Sequence, residues 1–215
     1  MKRLFVTSLL LVATVAEAGN GPSSPQSPGK APLIAYLGPL WGFSEFLLAL
    51  FKRSKSNAVS KDRHSLGIIW LVYLAAISLA VWASFQLPSF AVSRPRLLRD
   101  IGAALFLAGM VLRGYAIIYL GRFFTTNVAI AADHRVIDTG PYRWIRHPSY
   151  TGGLLLILGY GLCFQNWASL VLVFVPCCAV TLWRIQIEEA ALTGALGQVY
   201  EGYRRRTKRL IPLIW

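Results

Sequence analysis

An arginine, a histidine and a tyrosine stand within five residues of one another in Arg146-His147-Pro148-Ser149-Tyr150, beside a long apolar run. Pro148 disfavours helix at His147 and is itself suited to a first helical turn, so the motif reads as a loop turning into a helix. His147, biased to extended geometry, is expected beside a helix N-terminus, where free N–H groups and the dipole favour an anion. Gly152 and Gly153 leave one side of that turn bare, open to a ligand or to a second helix. The plainer alternative is a tight turn at a membrane boundary, with Arg146 snorkelling and Tyr150 in an aromatic belt.

Two more clusters carry chemistry. In Arg184-Ile185-Gln186-Ile187-Glu188-Glu189, the first and fifth residues are four apart and could pair on a helix surface. Glu189 has no such local partner and shares a stripe with Ile185, so it should face the core. That makes it the better candidate for a ligand hydroxyl or cation. Tyr200 and Tyr203 share one helical face, followed by Arg204, Arg205, Arg206, Lys208 and Arg209. A basic amphipathic helix on anionic lipid accounts for some of these arginines, whether or not others bind substrate. His64, His134 and His147 are too scattered for a local metal motif. Cys163, Cys177 and Cys178 lie in apolar runs, without C-x-x-C spacing, as small hydrophobes, and no metal is expected.

The elements that must position these residues are membrane helices. Hydrophobic residues make up 55% of the 215 and charged ones only 14%, with a mean hydropathy of +0.52. Such a chain is too apolar for an ordinary soluble domain. The net charge of +13 is spread in short clusters between apolar runs. No single basic face results, so the expected partner is a membrane surface and not a nucleic acid. The fold class is all-α: an integral membrane bundle of about five transmembrane helices with a cytoplasmic C-terminal helical segment.

Residues 1–18 have a positive start, an apolar stretch and a small-x-small end, and read as a signal peptide or N-terminal anchor. Residues 19–32, rich in Pro, Gly and Ser, read as a flexible linker. Candidate spans follow at 33–51, 65–85, 101–120, 150–163 and 167–183. The fourth is short, which calls for local bilayer thinning or a partly re-entrant path. Basic residues crowd the 52–63 loop, the 121–149 loop and the tail, and five spans put all three on one side, the cytoplasmic one. Arg94, Arg96 and Arg99 in the 86–100 loop dissent. Arg113 sits inside the third span, where an unpaired charge costs at least about 2.5–3.5 kcal/mol. Glu45 in the first span is a candidate partner, and an ion pair competes there with a substrate contact.

Taken together, Gly140-x-Tyr142-x-x-x-Arg146-His147-Pro148-x-Tyr150-x-Gly152, Glu188-Glu189-x-x-Leu192, Gly197-x-x-Tyr200-x-x-Tyr203 and Arg209-x-Ile211-Pro212 resemble the isoprenylcysteine carboxyl methyltransferase family. The likeness is strongest to its shorter bacterial members, within a wider group that includes phospholipid methyltransferases. It covers roughly residues 100–215, with 33–99 as N-terminal transmembrane helices similar only in being apolar. Leu196 and Leu213 depart from the residues common in the family, Phe and Gly, which bears on fine pocket shape.

The resemblance implies a membrane methyltransferase using S-adenosylmethionine, in a pocket built from the last two spans and the C-terminal segment. Carried over by motif, Tyr142, His147, Pro148, Tyr150, Gly152, Glu188, Glu189 and Tyr200 would bind the cofactor. Glu189→Ala is then expected to weaken cofactor binding and leave the chain folded. Arg146, Arg206 and Arg209 would be the catalytic residues, holding an acceptor carboxylate by a bidentate pair. No G-x-G-x-x-G follows a predicted strand, so a nucleoside cofactor must be held by helices and loops. The expected reaction is carboxyl O-methylation of an isoprenylcysteine-like or other lipophilic carboxylate, with a small-molecule or prenylated-cysteine substrate and membrane lipids as partners. The sequence sets no oligomeric state. Phospholipid or amine N-methylation is the alternative, and a non-catalytic membrane protein of the same fold a further one. Some membrane sterol reductases share the C-terminal likeness, with a nicotinamide cofactor and more spans. The expected location is a bacterial inner membrane or the endoplasmic reticulum of a eukaryote, with the active site on the cytoplasmic side.

Overall fold

The computed structural model describes residues 33–51, 59–60, 65–124, 129–130 and 135–212. The expected signal peptide or anchor at 1–18, the linker at 19–32 and Leu213 lie outside the described residues. Among the described residues, six α-helices carry the fold: α1 (Ile34–Phe51), α2 (Ser65–Gln86), α3 (Pro95–Leu120), α4 (Pro148–Cys163), α5 (Trp167–Leu196) and α6 (Gln198–Arg206). Extended pairing among the described residues is limited to a two-residue antiparallel ladder, β1 (Val59–Ser60) with β2 (Ala129–Ile130), and two isolated bridges, Ala91 with Asn166 and Ile145 with Lys208.

The five apolar runs become α1 to α5, with two boundaries moved. The third helix starts at Pro95, in its first turn, instead of at Ile101. Proline needs no donor there and presets φ, so the helix takes in Arg96, Arg99 and Asp100 ahead of its apolar part. At the other end of the chain, α5 outruns its apolar stretch and continues to Leu196. Gly197, at φ +51, breaks it from α6, and its backbone N–H caps the carbonyl of Thr193.

By length and composition, α2, α3 and α5 can each cross a membrane. Their outward side chains are apolar: Leu71 is 65% exposed, Val111 72% and Ile118 75%. Such faces belong in lipid. The 16 residues of α4 rise only about 24 Å. Even so, its far end turns where Asn166 Nδ2 donates to the Leu87 carbonyl at 2.9 Å, just past the end of α2. So α4 is one continuous helix whose far end lies beside the end of α2. Asn166 also caps α5, its side chain accepting from Ser169 N at 3.1 Å.

In lipid, water exclusion does not hold helices together, and close packing must. Between α3 and α4 that packing is backbone against backbone. A Cβ on Gly109 would lie 2.5 Å from Leu156 N and 2.6 Å from the Gly152 carbonyl oxygen. One on Gly159 would lie 2.4 Å from the Gly102 carbonyl oxygen and from Phe106 N. The bare face at Gly152 is therefore filled by the second helix, not by a ligand. Around this contact Phe106, Leu156, Ile157, Tyr160, Val173 and Cys177 are all but sealed. Polar bonds add to the α2–α5 seam: Ser169 Oγ donates to Ala80 O at 2.7 Å, and the hydroxyls of Tyr73 and Thr181 meet at 3.0 Å. Each is worth about 1 kcal/mol.

The charge inside α3 has the partner its position calls for. Arg113 Nε lies 2.7 Å from Glu45 Oε1 and Nη2 lies 3.0 Å from Oε2, a two-point contact from α3 to α1.

Candidate active site

The site grows from the first turn of α4. Pro148 opens the helix, and His147 immediately before it has φ −125 and ψ 56. That ψ falls short of the extended value expected before proline. The reason is local: the His147 carbonyl already accepts from Thr151 N at 3.0 Å, so it is turned along the helix axis.

A short parallel pairing delivers the tail to this turn. Arg146 N donates to Lys208 O at 2.8 Å, His147 N to Arg209 O at 3.1 Å, and Lys208 N to Trp144 O at 3.2 Å. Thr151 Oγ1 reaches the Leu210 carbonyl at 2.8 Å. The connector and the tail thus become one ledge across the end of the bundle.

Under that ledge lies Glu189, 4% exposed and aimed inward with Ile185. Its Oε1 meets Arg146 Nε at 2.8 Å and His147 Nε2 at 3.3 Å. Its Oε2 meets Arg209 Nε at 3.1 Å and Nη2 at 3.0 Å. Arg146 also donates from Nη1 to the carbonyls of Arg204 and Thr207. One carboxylate therefore gathers two guanidiniums and an imidazole from segments 20 to 43 residues away. The Arg146 side chain is only 9% exposed and is held on Glu189, not snorkelling.

Glu188 belongs to a separate contact. It accepts from the Tyr150 hydroxyl at 2.9 Å. Arg184 is 3% exposed, so it is no surface residue, and it reaches Ser65 at the start of α2. The rings of His147 and Tyr150 lie 5.7 Å apart and link the two carboxylate contacts.

The tyrosines of α6 close the side. Tyr203 donates to the Tyr142 carbonyl at 2.7 Å, and Tyr142 donates to Ala116 O at 3.2 Å, seating the connector on α3. Tyr200, 3% exposed, packs 6.0 Å from the Tyr203 ring. Among the described residues, two buried side-chain oxygens have no hydrogen-bond partner, Tyr200 OH and Thr193 Oγ1. Burial pushes the Tyr200 phenol above its ordinary pKa, and the charges of Glu189 and Glu188 push the same way. Burial likewise raises Tyr142 and Tyr203. All three stay protonated at neutral pH.

Of the residues singled out by motif, Arg146, His147, Pro148, Tyr150, Glu188, Glu189 and Arg209 gather at the first turn of α4, and Gly152 sits against α3. Tyr142 and Tyr200 flank them. Arg206 stands elsewhere, 68% exposed at its side chain, on Asp138 at 3.3 Å and on the Gly202 carbonyl. It borders a cavity of about 380 Å³ with Arg135, Val136, Asp138, Leu196 and Val199. Sequence reasoning missed Thr193, which carries no signal of its own, and the burial of Arg184. The one hint for Arg184 is its place directly after the last apolar residue of the fifth span.

Comparisons with known proteins bear on this arrangement. Residues 102–194 match the isoprenylcysteine carboxyl methyltransferase (ICMT) family. The chain is 34% identical over 137 residues to protein-S-isoprenylcysteine O-methyltransferase of Schizosaccharomyces pombe, covering 60% of this chain and 56% of that protein. It is 29% identical over 185 residues to the protein of the same name from Tribolium castaneum, covering 81% and 63%. The chain thus spans less than two thirds of the length of either relative. A solved structure of the eukaryotic intramembrane Ras methyltransferase ICMT superposes with a TM-score of 0.67 at 24% identity, covering 96% of this chain and 74% of that one. The fold is that of an intramembrane protein.

Proposed function

From the premise that residues 102–194 match the isoprenylcysteine carboxyl methyltransferase family, we propose that this chain is a membrane methyltransferase using S-adenosylmethionine. Its acceptor is the carboxylate of an isoprenylcysteine-like or other lipophilic acid. The observation that carries the reading is the Tyr200 hydroxyl, buried and without a partner, and close enough to Glu189, Glu188 and Arg146 to feel their charges. A buried, unsatisfied phenol is costly unless a ligand completes it. The neighbouring residues suit a zwitterionic nucleoside sulfonium: Glu188 offers negative charge, the arginines on Glu189 offer positive charge, and Tyr200 offers a neutral donor.

When bound, S-adenosylmethionine supplies an electrophilic methyl group. The chain's own residues then have three tasks. Tyr150, Glu188, His147 and Tyr200 would hold the cofactor, with Tyr142 shaping the wall and Gly152 seating the turn against α3. Arg146 and Glu189 clamp the tail ledge over it and keep water out. Arg209, at the edge of the cluster, meets the acceptor carboxylate, which is ionised at neutral pH and needs no general base, whereas Arg206 stands away from the cluster on Asp138. Arg146 already donates to Glu189 and to two carbonyls, so its part is to hold the ledge. In this reading residues 100–215 are the methyltransferase core and 33–99 its N-terminal helices. The basic loops and tail face the cytoplasm, at a bacterial inner membrane or the endoplasmic reticulum.

Labelled S-adenosylmethionine titrated onto the purified chain in detergent tests the site. Wild type should bind saturably, and Tyr200→Phe should weaken binding about tenfold, the worth of one hydrogen bond. The ligand-free melting temperature of that variant should be unchanged or higher, because an unsatisfied hydroxyl is removed. No saturable binding by wild type would remove the cofactor, and equal affinities would remove Tyr200.

A further inference from the structure

We propose that the Glu45–Arg113 ion pair positions the first turn of α4, so that α1, which lies outside the matched segment 102–194, is a working part of the candidate site. The pair is two-pointed, at 2.7 and 3.0 Å, and little exposed, at 21% for Arg113 and 12% for Glu45. Trp41 Nε1 braces it from the same helix, 3.3 Å from Glu45 Oε1. The remaining nitrogen of Arg113 is turned to α4: Nη1 faces the Ser149 carbonyl at 3.4 Å.

The geometry of that approach is specific. Backbone meets backbone at Gly152, where a Cβ would lie 2.6 Å from Arg113 N. At Gly153, a Cβ would lie only 3.8 Å from Arg113 Nη1. The guanidinium therefore lies along the bare side of the turn, and the adjacent residues are Tyr150, on Glu188, and His147, on Glu189. Glu45 fixes where the guanidinium lies, and the guanidinium fixes the turn. Without Glu45, a cation in low dielectric must seek other oxygens, and the Ser149 carbonyl of that turn is already within reach. A brace that merely joined α1 to α3 would have no reason to reach Ser149.

The test uses the full-length chain in detergent, with hydrogen exchange of the amides at 149–153 as a direct probe of position. Glu45→Gln should speed their exchange about fivefold, as expected of a local opening, and leave 167–183 at wild-type rates. Arg113→Lys keeps the charge but shortens the fork, and should speed the same amides. Glu45→Asp should lie between Glu45→Gln and wild type. If Glu45→Gln does not fold, Glu45→Asp decides, and wild-type exchange at 149–153 in the variant that folds overturns the proposal. Only the second arm rests on the cofactor reading: Glu45→Gln should weaken S-adenosylmethionine binding about tenfold. If wild type binds no cofactor, that reading fails while the exchange result still decides this one. A lowered melting temperature with unchanged exchange at 149–153 reduces the pair to a helix brace.

Discussion

Glu189 is the residue on which the site turns, and its surroundings change what its removal should do. The sequence alone expects Glu189→Ala to weaken cofactor binding in a chain that stays folded. In the structure that carboxylate balances Arg146, Arg209 and His147. Alanine would strand the Arg146 guanidinium, 9% exposed at its side chain, without its carboxylate, a loss of about 3–5 kcal/mol. Glu189→Ala should therefore lower the melting temperature markedly, and Glu189→Gln, which keeps the shape, should fall between it and wild type. A thermal melt in detergent that leaves Glu189→Ala at the wild-type value would contradict the clamp. The inward aim of Glu189 is legible in the sequence, because Ile185 precedes it by one helical turn. Its partners are not legible, because Arg209 reaches it through the pairing of 145 with 208. No periodicity announces a contact between a connector and a tail.

At the scale of elements, the helices were legible and their contacts were not. Apolar runs mark α1 to α5 directly, while Pro95 and the extension of α5 lie where polar residues hide helix. The joining of α3 to α4 depends on which glycines face which, and only the packed structure distinguishes Gly152 from Gly153. That distinction yields a paired prediction. Gly152→Ala would drive a Cβ to 2.6 Å from Arg113 N and 2.7 Å from Gly109 O, both backbone atoms. The helices must part, at a loss of about 1–3 kcal/mol. Gly153→Ala meets nothing nearer than 3.8 Å and should fold normally. Melting curves in detergent that put the two variants level would contradict the α3–α4 interface. Asn166→Ala should cost about 1 kcal/mol as a lost cap, and further loosen the turn from Leu87 in the same melts.

For the whole molecule, the sequence gives the solvent as well as the fold, since large apolar side chains cover the outside of α2, α3 and α5. The intramembrane fold agrees with that expectation. In the orientation proposed from the charge pattern, a reporter fused to the C-terminus should be active only in the cytoplasm, and activity on the opposite face would reverse the topology. Such an orientation sets the ledge of connector and tail at the cytoplasmic membrane face, where a lipophilic acid can keep its chain in lipid and offer its carboxylate. The central claim is the transfer itself. Purified chain with methyl-labelled S-adenosylmethionine should be offered a farnesylated cysteine analogue and, separately, phosphatidylethanolamine. The proposed function predicts label in the cysteine analogue that alkali releases, as a methyl ester does. Alkali-stable label in the phospholipid would instead mark an N-methyltransferase, and label in neither, with no cofactor bound, would contradict the claim altogether.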